Sequence, residues 1–308
     1  MQWRHKDLLG LEELTAEEID GILEQTRAFR EVSQRTVKKV PALQGKTIVN
    51  LFLEPSTRTR ASFELAAKRL SADIVNFQES SSSLAKGETL KDMARNIEAL
   101  KVDCIVMRHA SSGAPHLLAR CVKASIINAG DGAHEHPTQA LLDLFTIRDK
   151  IGKIEGLRVL FVGDITHSRV ARSNIWGMSK FGAKVTVCGP RTLIPYDIGS
   201  LGVNVSHDLS SSIRECDVLY LLRIQHERQR RHLFPSNREY ARFFGVNESL
   251  LNGARKNLLV LHPGPINRGV ELSGDASEGP QSLILEQVTN GLAVRMAVLY
   301  LVSGSGES

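Results

Sequence analysis

Apolar positions along this chain fall into two alternating patterns: short, mostly apolar runs of strand length, and longer stretches with apolar residues at helical spacing. In the first half the runs are Thr47–Leu53, Asp73–Phe77, Val102–Met107 and Ser125–Ala129. Helical spacing occupies Leu11–Arg35 as one or two amphipathic helices, the stretch after Thr59, Thr89–Leu100 and His136–Lys150. Thr15 and Glu18 are spaced as a capping box, which marks a helix start. The second half repeats the theme with runs Arg158–Val162, Lys184–Cys188, Val203–Val205, Val218–Leu222 and Leu258–Leu261. A helix is expected to begin near Ser168, and Gln281–Val302 closes the chain as a long helix with an apolar face. Strands that alternate with helices predict an α/β chain of parallel sheets. The natural junction is the helix His136–Lys150 and the turn after it. No repeat of fixed period appears, and no low-complexity tract beyond Ser80–Ser83.

Composition narrows the class. A chain of 308 residues is long enough for two domains with separate cores. At 42% hydrophobic and 24% charged it is expected to be soluble and globular. No apolar run approaches the ~18–20 residues that span a bilayer, so no membrane partner is expected. The segment Met1–Asp7 lacks the apolar core of a secretion signal, which predicts a cytoplasmic protein. Cys104, Cys121, Cys188 and Cys216 are scattered, with no C-x-x-C pair, and are expected as reduced, mostly buried thiols. A net charge of +5 suits a small anionic substrate at least as well as a nucleic acid. Arg223, Arg228, Arg230, Arg231, Arg238 and Arg242 make a basic stretch with few aromatics at its core, expected as a solvated loop without nucleic-acid binding.

Glu54-Pro55-Ser56-Thr57-Arg58-Thr59-Arg60 carries the densest chemistry. It joins a strand to a helix, with Ser56 or Thr57 near the N-cap. A helix N-terminus presents unpaired N–H groups and the positive end of a dipole, and arginine forks match phosphate oxygens. The turn reads as a phosphate site ahead of the alternative, an ordinary capped helix with solvated arginines. Ligands of open α/β sheets bind beyond the carboxyl ends of strands. Six strand ends here carry polar or cationic groups: the Ser56–Arg60 turn, Arg108-His109, the loop from Gly130 to Gln139, Gly163–Arg169, Arg223–Gln225 and His262–Pro265. A shared cleft for anions is the economical account. Asp131, His134, Glu135 and His136 could suggest a metal, but adjacent residues on a turn are not expected to converge on one ion. Gly163-Asp164 lacks the G-x-G-x-x-G continuation of a dinucleotide site. Glu54 is expected either to pair with Arg169 or Arg228 or to stand unpaired at the surface.

Taken together these pieces resemble the aspartate carbamoyltransferase catalytic-chain family. The matching segments are Ser56-Thr57-Arg58-Thr59-Arg60, Lys86-Gly87-Glu88-Thr89, Arg108-His109, His136-Pro137-Thr138-Gln139, His167–Ser173, Arg223-Ile224-Gln225 and His262-Pro263-Gly264-Pro265. The S-T-R-T-R and H-P-T-Q elements are shared with ornithine carbamoyltransferases, so they imply carbamoyl phosphate without deciding the acceptor. The ornithine-type Ser-Met-Gly loop and H-C-L-P turn are absent, while Arg169 and Arg223 offer two cations to a dicarboxylate. That favours aspartate over ornithine, or over a non-catalytic phosphate-binding relative. Such a relative would carry damage at Arg58, Thr59, Arg108, His136 or Arg169, and none is damaged.

The resemblance implies two domains, each a mostly parallel sheet flanked by helices, with the C-terminal helix returning to the first. Residues 1–135 with about 284–308 would bind carbamoyl phosphate, and 136–283 aspartate. It implies that Ser56, Thr57, Arg58 and Thr59 hold the phosphate, Arg108 bridges phosphate and carbonyl, and His136 and Thr59 polarise that carbonyl. Arg58, Thr59, Arg108 and His136 would be the catalytic set. Gln139 and the backbone of Gly264 and Pro265 would receive the carbamoyl amide. Arg169 and Arg223, assisted by Gln225, would clamp the two aspartate carboxylates. Lys86, with Ser82 or Ser83, would sit on a loop that reaches the neighbouring subunit's site, implying a homotrimer with shared active sites. A regulatory chain or a dihydroorotase is a further partner the resemblance leaves open; it implies no cofactor and no metal.

Overall fold

A computed structural model of the chain describes residues 3–78, 89–225 and 234–304. Lys86, Ser82, Ser83 and Arg228 lie outside the described residues. The elements in the first part are α1 (Ala16–Gln34), β1 (Thr47–Phe52), α2 (Thr57–Arg69), β2 (Asp73–Gln78), α3 (Leu90–Ala99), β3 (Cys104–His109), α4 (Ala114–Ala119), β4 (Ser125–Asp131) and α5 (Pro137–Ile151). There follow β5 (Arg158–Val162), α6 (Arg169–Lys180), β6 (Lys184–Cys188), β7 (Asn204–Ser206), α7 (Leu209–Ser212) and β8 (Val218–Leu221). The last are α8 (Asn237–Phe244), α9 (Glu248–Asn252), β9 (Leu259–Leu261), α10 (Gly274–Glu278) and α11 (Ile284–Gly304).

The strands form two parallel sheets, ordered β2-β1-β3-β4 and β7-β6-β5-β8-β9. Strands buried on both faces read as continuous apolar runs, and β1, β5 and β8 are buried almost throughout. The chain divides into two compact units, residues 1–142 with 289–308 and residues 143–288, so the division falls inside α5 and again inside α11. In the first unit Val49, Leu51, Ile105, Met107 and Ile126 of the sheet pack with Met93, Ala94 and Ile97 of α3 and Ala114 and Leu118 of α4. The closing helix belongs there through Arg295, which donates to Ser62 Oγ at 3.0 Å and stacks over Phe63. In the second unit Leu160, Val162, Leu219, Leu221 and Val260 pack with Leu209, Ile213, Val246 and Leu251.

Local signals explain most element ends. Thr15 and Glu18 form the expected capping box, with N–H to side-chain distances of 3.2 and 2.9 Å. The helix begins at Ala16 rather than at Leu11, with Thr15 extended as its cap, and the N–H groups of Leu11 and Glu12 before it donate to the buried Glu135 carboxylate. The apolar pattern did not predict α4, and α8 takes up part of the basic stretch expected as loop. There Ser236 caps α8 by accepting from Glu239 N–H at 3.1 Å, Tyr240 is buried, and Arg242 stacks on Phe243. Among the described residues no helix is long and apolar enough to cross a membrane.

Candidate active site

Strand order puts the chemistry at one place in each sheet. In the first, the chain winds from β1 outward to β2 and then resumes on the other side at β3, so the order reverses between β1 and β3. In the second the reversal lies between β5 and β8. Open parallel sheets bind ligands beyond the carboxyl ends of the strands at such a reversal. The ends of β1 and β3 are tied by Leu53 N–H donating to Arg108 O at 2.9 Å, and those of β5 and β8 by Leu222 N–H donating to Val162 O at 2.8 Å.

At the first reversal Ser56 is the N-cap of α2 in extended conformation, and its hydroxyl makes no capping hydrogen bond. The first helical turn carries Arg58 and no acidic residue, so no carboxylate of the turn itself neutralises the positive helix end. Thr57 and Arg58 are exposed, and Ser56, Thr59 and Arg60 are half-buried. Arg108 projects from the end of β3 with its side chain 12% exposed. One amino group lies 3.3 Å from Glu54 Oε1 and the other donates to Ala129 O at 3.3 Å. Glu54 thus has a partner that sequence reasoning did not weigh, and it holds the guanidinium beside the α2 turn.

The loop after β4 delivers two more residues. His136 and Gln139 are buried at the start of α5, with Gln139 N–H donating to His136 O at 3.0 Å. The loop is anchored by Asp131, wholly buried, which accepts from Gly113 N–H at 2.7 Å, Asn128 Nδ2 at 2.8 Å and Glu135 N–H at 3.1 Å, with His134 Nδ1 also at 3.1 Å. Burial by itself would raise the Asp131 pKa. The hydrogen bonds from His134, Asn128 and the two backbone N–H groups outweigh it and hold the carboxyl below its ordinary value. One ligand atom each of Asp131 and His134 of this turn and of His116 from α4 lies within 4.8 Å of the others. The reason is the anchoring itself, since Asp131 gathers donors from β4, the loop and the start of α4.

At the second reversal Gly163 follows β5 with φ +133°, where a Cβ would lie 3.0 Å from Leu222 O and 3.3 Å from the Tyr240 hydroxyl. Asp164, fully buried, accepts from His167 N–H at 3.1 Å and pairs with His167 Nδ1 at 2.8 Å. Ser168 caps α6, accepting from Ala171 N–H at 3.1 Å. Arg169 is the first residue of that helix and only 2% exposed. Arg223 and Gln225, both half-buried, follow β8. After β9, Gly264 takes φ +61° and joins Pro265 through a cis peptide, and Asn267 Nδ2 donates to Ile224 O at 3.4 Å. The second unit therefore carries Arg169, Arg223, Gln225, Gly264 and Pro265 at strand ends or on the loops and helix starts that follow them, as the first carries Ser56, Thr57, Arg58, Thr59, Arg108, His136 and Gln139. Sequence reasoning missed Glu54 as the Arg108 partner, Asp131 as loop anchor and the Asp164–His167 pair. For the last two, an Asp three residues before a His on a turn was the available signal.

Two α/β units, each with cations and hydroxyls at its topological reversal, define a protein built to hold small anions. Residues 6–149 match the family model described as aspartate/ornithine carbamoyltransferase, carbamoyl-P binding domain, and residues 155–302 match its Asp/Orn binding domain. The chain belongs to the aspartate/ornithine carbamoyltransferase family. It is 58% identical over 305 residues to the aspartate carbamoyltransferase catalytic subunit of Syntrophus aciditrophicus, covering 99% of both chains. It is 58% identical over 304 residues to that of Halothermothrix orenii, covering 99% of this chain and 97% of that one. Among solved structures it is similar to aspartate transcarbamoylase from Trypanosoma cruzi in complex with carbamoyl phosphate and aspartate, with TM-score 0.88, 30% identity and 97% of each chain covered. It is similar to the same degree to ornithine carbamoyltransferase from Pyrococcus furiosus, with TM-score 0.87, 32% identity and full coverage of both. Fold alone therefore does not choose the acceptor.

Proposed function

We propose that this chain transfers the carbamoyl group of carbamoyl phosphate to the amine of L-aspartate, giving N-carbamoyl-L-aspartate and phosphate. The observation that carries this is the placing of a helix N-terminus with Ser56–Thr59 and Arg108 at one sheet reversal, and of Arg169 and Arg223 at the other. The first set suits a phosphate. The second offers two guanidiniums, one for each carboxylate of aspartate, whereas ornithine has a single carboxylate and a cationic amine that both arginines would repel. The 58% identity to aspartate carbamoyltransferase catalytic subunits supports the same acceptor.

The chemistry follows from these groups. Ser56, Thr57, Arg58 and Thr59 hold the phosphate through hydroxyls, helix N–H groups and one guanidinium fork. The aspartate amine attacks the carbamoyl carbon with its lone pair, and the C=O π electrons move to oxygen. Thr59, Arg108 and His136 stabilise that oxyanion, each contributing about 3 kcal/mol on the scale of known oxyanion holes. Collapse breaks the bond between carbon and the phosphate oxygen, and the leaving phosphate takes the amine proton, so no protein base is needed. Gln139 and the Gly264–Pro265 backbone receive the carbamoyl amide. Arg169 and Arg223 with Gln225 fix the acceptor, and positioning of the two reactants supplies much of the remaining acceleration. The working form is a cytoplasmic homotrimer in which Lys86 completes the aspartate site of a neighbour, and the reaction serves pyrimidine biosynthesis.

Product formation from carbamoyl phosphate with L-aspartate and L-ornithine, measured side by side, tests this. Turnover with aspartate alone is expected. Turnover with ornithine overturns the acceptor while leaving the phosphate site intact. Arg58→Ala, at an exposed position, is expected to lower kcat/KM at least ~10²-fold without changing thermal stability; near-normal activity would remove Arg58 from the phosphate site.

A further inference from the structure

The turn after β9 has an unusual hydrogen-bonding inventory. Prolines have no N–H, so in Pro263-Gly264-Pro265 the sole backbone donor is Gly264 N–H. That donor is already used, because it donates to Nδ1 of His262 at 2.8 Å. What the three-residue turn can still offer a ligand is carbonyl oxygen only.

His262 is held in place to do this. It is 2% exposed, and its own N–H donates to Gln287 Oε1 at 3.0 Å. Gln287 Nε2 in turn donates to Asp143 Oδ1 at 2.7 Å, and Asp143 Oδ2 accepts from Tyr220 and Asn174. With Nδ1 accepting, the ring proton resides on Nε2, which faces Glu271 Oε1 at 3.4 Å. Glu271 is fully buried, and the same oxygen accepts Asn267 N–H at 2.9 Å. One carboxylate thus grips the turn on both flanks, through the His262 ring before it and the Asn267 backbone after it.

We propose that His262 and Glu271 are positioning residues that set donor specificity: by consuming the Gly264 N–H they leave an all-acceptor turn that selects the carbamoyl NH₂ over isosteric acyl groups. This rests on the functional reading above, in which the turn receives the carbamoyl amide. An NH₂ group has two donors for such a turn, whereas the methyl of acetyl phosphate has none, so burial of the carbonyls against it leaves them unsatisfied.

The test compares carbamoyl phosphate with acetyl phosphate as a competitive inhibitor, and with inorganic phosphate as a probe of the α2 turn alone. In His262→Ala and Glu271→Ala the ratio of the acetyl phosphate inhibition constant to the carbamoyl phosphate KM is expected to fall about tenfold. Phosphate inhibition should stay unchanged. His262→Asn, which keeps an acceptor near the Nδ1 position, and Glu271→Gln, which keeps an acceptor oxygen, should retain most of the wild-type ratio. An unchanged ratio in the alanine variants overturns the proposal, as does a loss of phosphate affinity in step with carbamoyl phosphate. If the alanine variants do not fold, the asparagine and glutamine variants decide: a ratio collapsed in both overturns it. A wild-type chain that forms no carbamoyl aspartate would instead refute the functional reading itself.

Discussion

Replacing Asp131 with Asn probes how the loop that carries His136 is held. The carboxylate is wholly buried and takes N–H donors on both oxygens, Asn128 and Glu135 on one and Gly113 on the other. Asparagine has the same shape but turns one oxygen into an NH₂ group. Whichever side that group takes, a donor then faces a donor. A hydrogen bond to a charged acceptor is worth about 1.5–3 kcal/mol, and an orphaned buried donor costs a further ~1–3 kcal/mol. We expect a local destabilisation of about 3 kcal/mol, which corresponds to roughly a 10²-fold faster exchange of the Gly113 and Glu135 amides. Hydrogen exchange read by mass spectrometry or NMR measures this directly, and kcat should fall because His136 lies five residues on. The pH dependence has a definite sign. The folded pKa of Asp131 lies below the unfolded one, so its contribution is present above about pH 4 and is lost as pH falls through the lower folded value. Wild type and Asp131→Asn should therefore converge in stability at acid pH. Unchanged amide protection together with an unchanged acid-side slope would refute the anchoring role.

Other expectations follow from single positions. Gly163→Ala places a Cβ against Leu222 O and the Tyr240 hydroxyl at a left-handed φ, which should cost about 2–4 kcal/mol and lower the melting temperature by roughly 5–10 °C; an unchanged melting curve would contradict the packing. Arg169→Lys loses the planar fork at a buried position, so KM for aspartate should rise at least ~10-fold with KM for carbamoyl phosphate nearly constant; equal rises in both would move Arg169 out of the acceptor site. Burial pushes the thiols of Cys104, Cys188 and Cys216 up to about 12, whereas Cys121 is half-buried. A thiol reagent at pH 8 should therefore titrate Cys121 first in the native chain and the other three only on denaturation; fast labelling of all four would show the burial to be wrong.

Sequence by itself determined the features that reside in neighbouring residues. The apolar runs announced both sheets, and the Thr15–Glu18 box marked the start of α1, because strand burial and helix capping depend on residues a few positions apart. The Ser56–Arg60 turn was legible for the same reason: its hydroxyls, guanidiniums and helix N-terminus are consecutive. Helices α4 and α8 escaped because the first is a single short segment behind Gly113 and the second hides in a stretch dominated by charge. Only the tertiary structure decided which strand lies beside which, since any buried parallel strand can pair with any other until long-range packing selects one order. That choice put the α2 turn next to Arg108 and the α6 start next to Arg223. It also joined Glu54 to Arg108 across 54 positions, while Glu271 reaches His262, 9 positions away, through the folding of the loop after β9. Neither pair follows a helix or strand period, which is why no local pattern announced them.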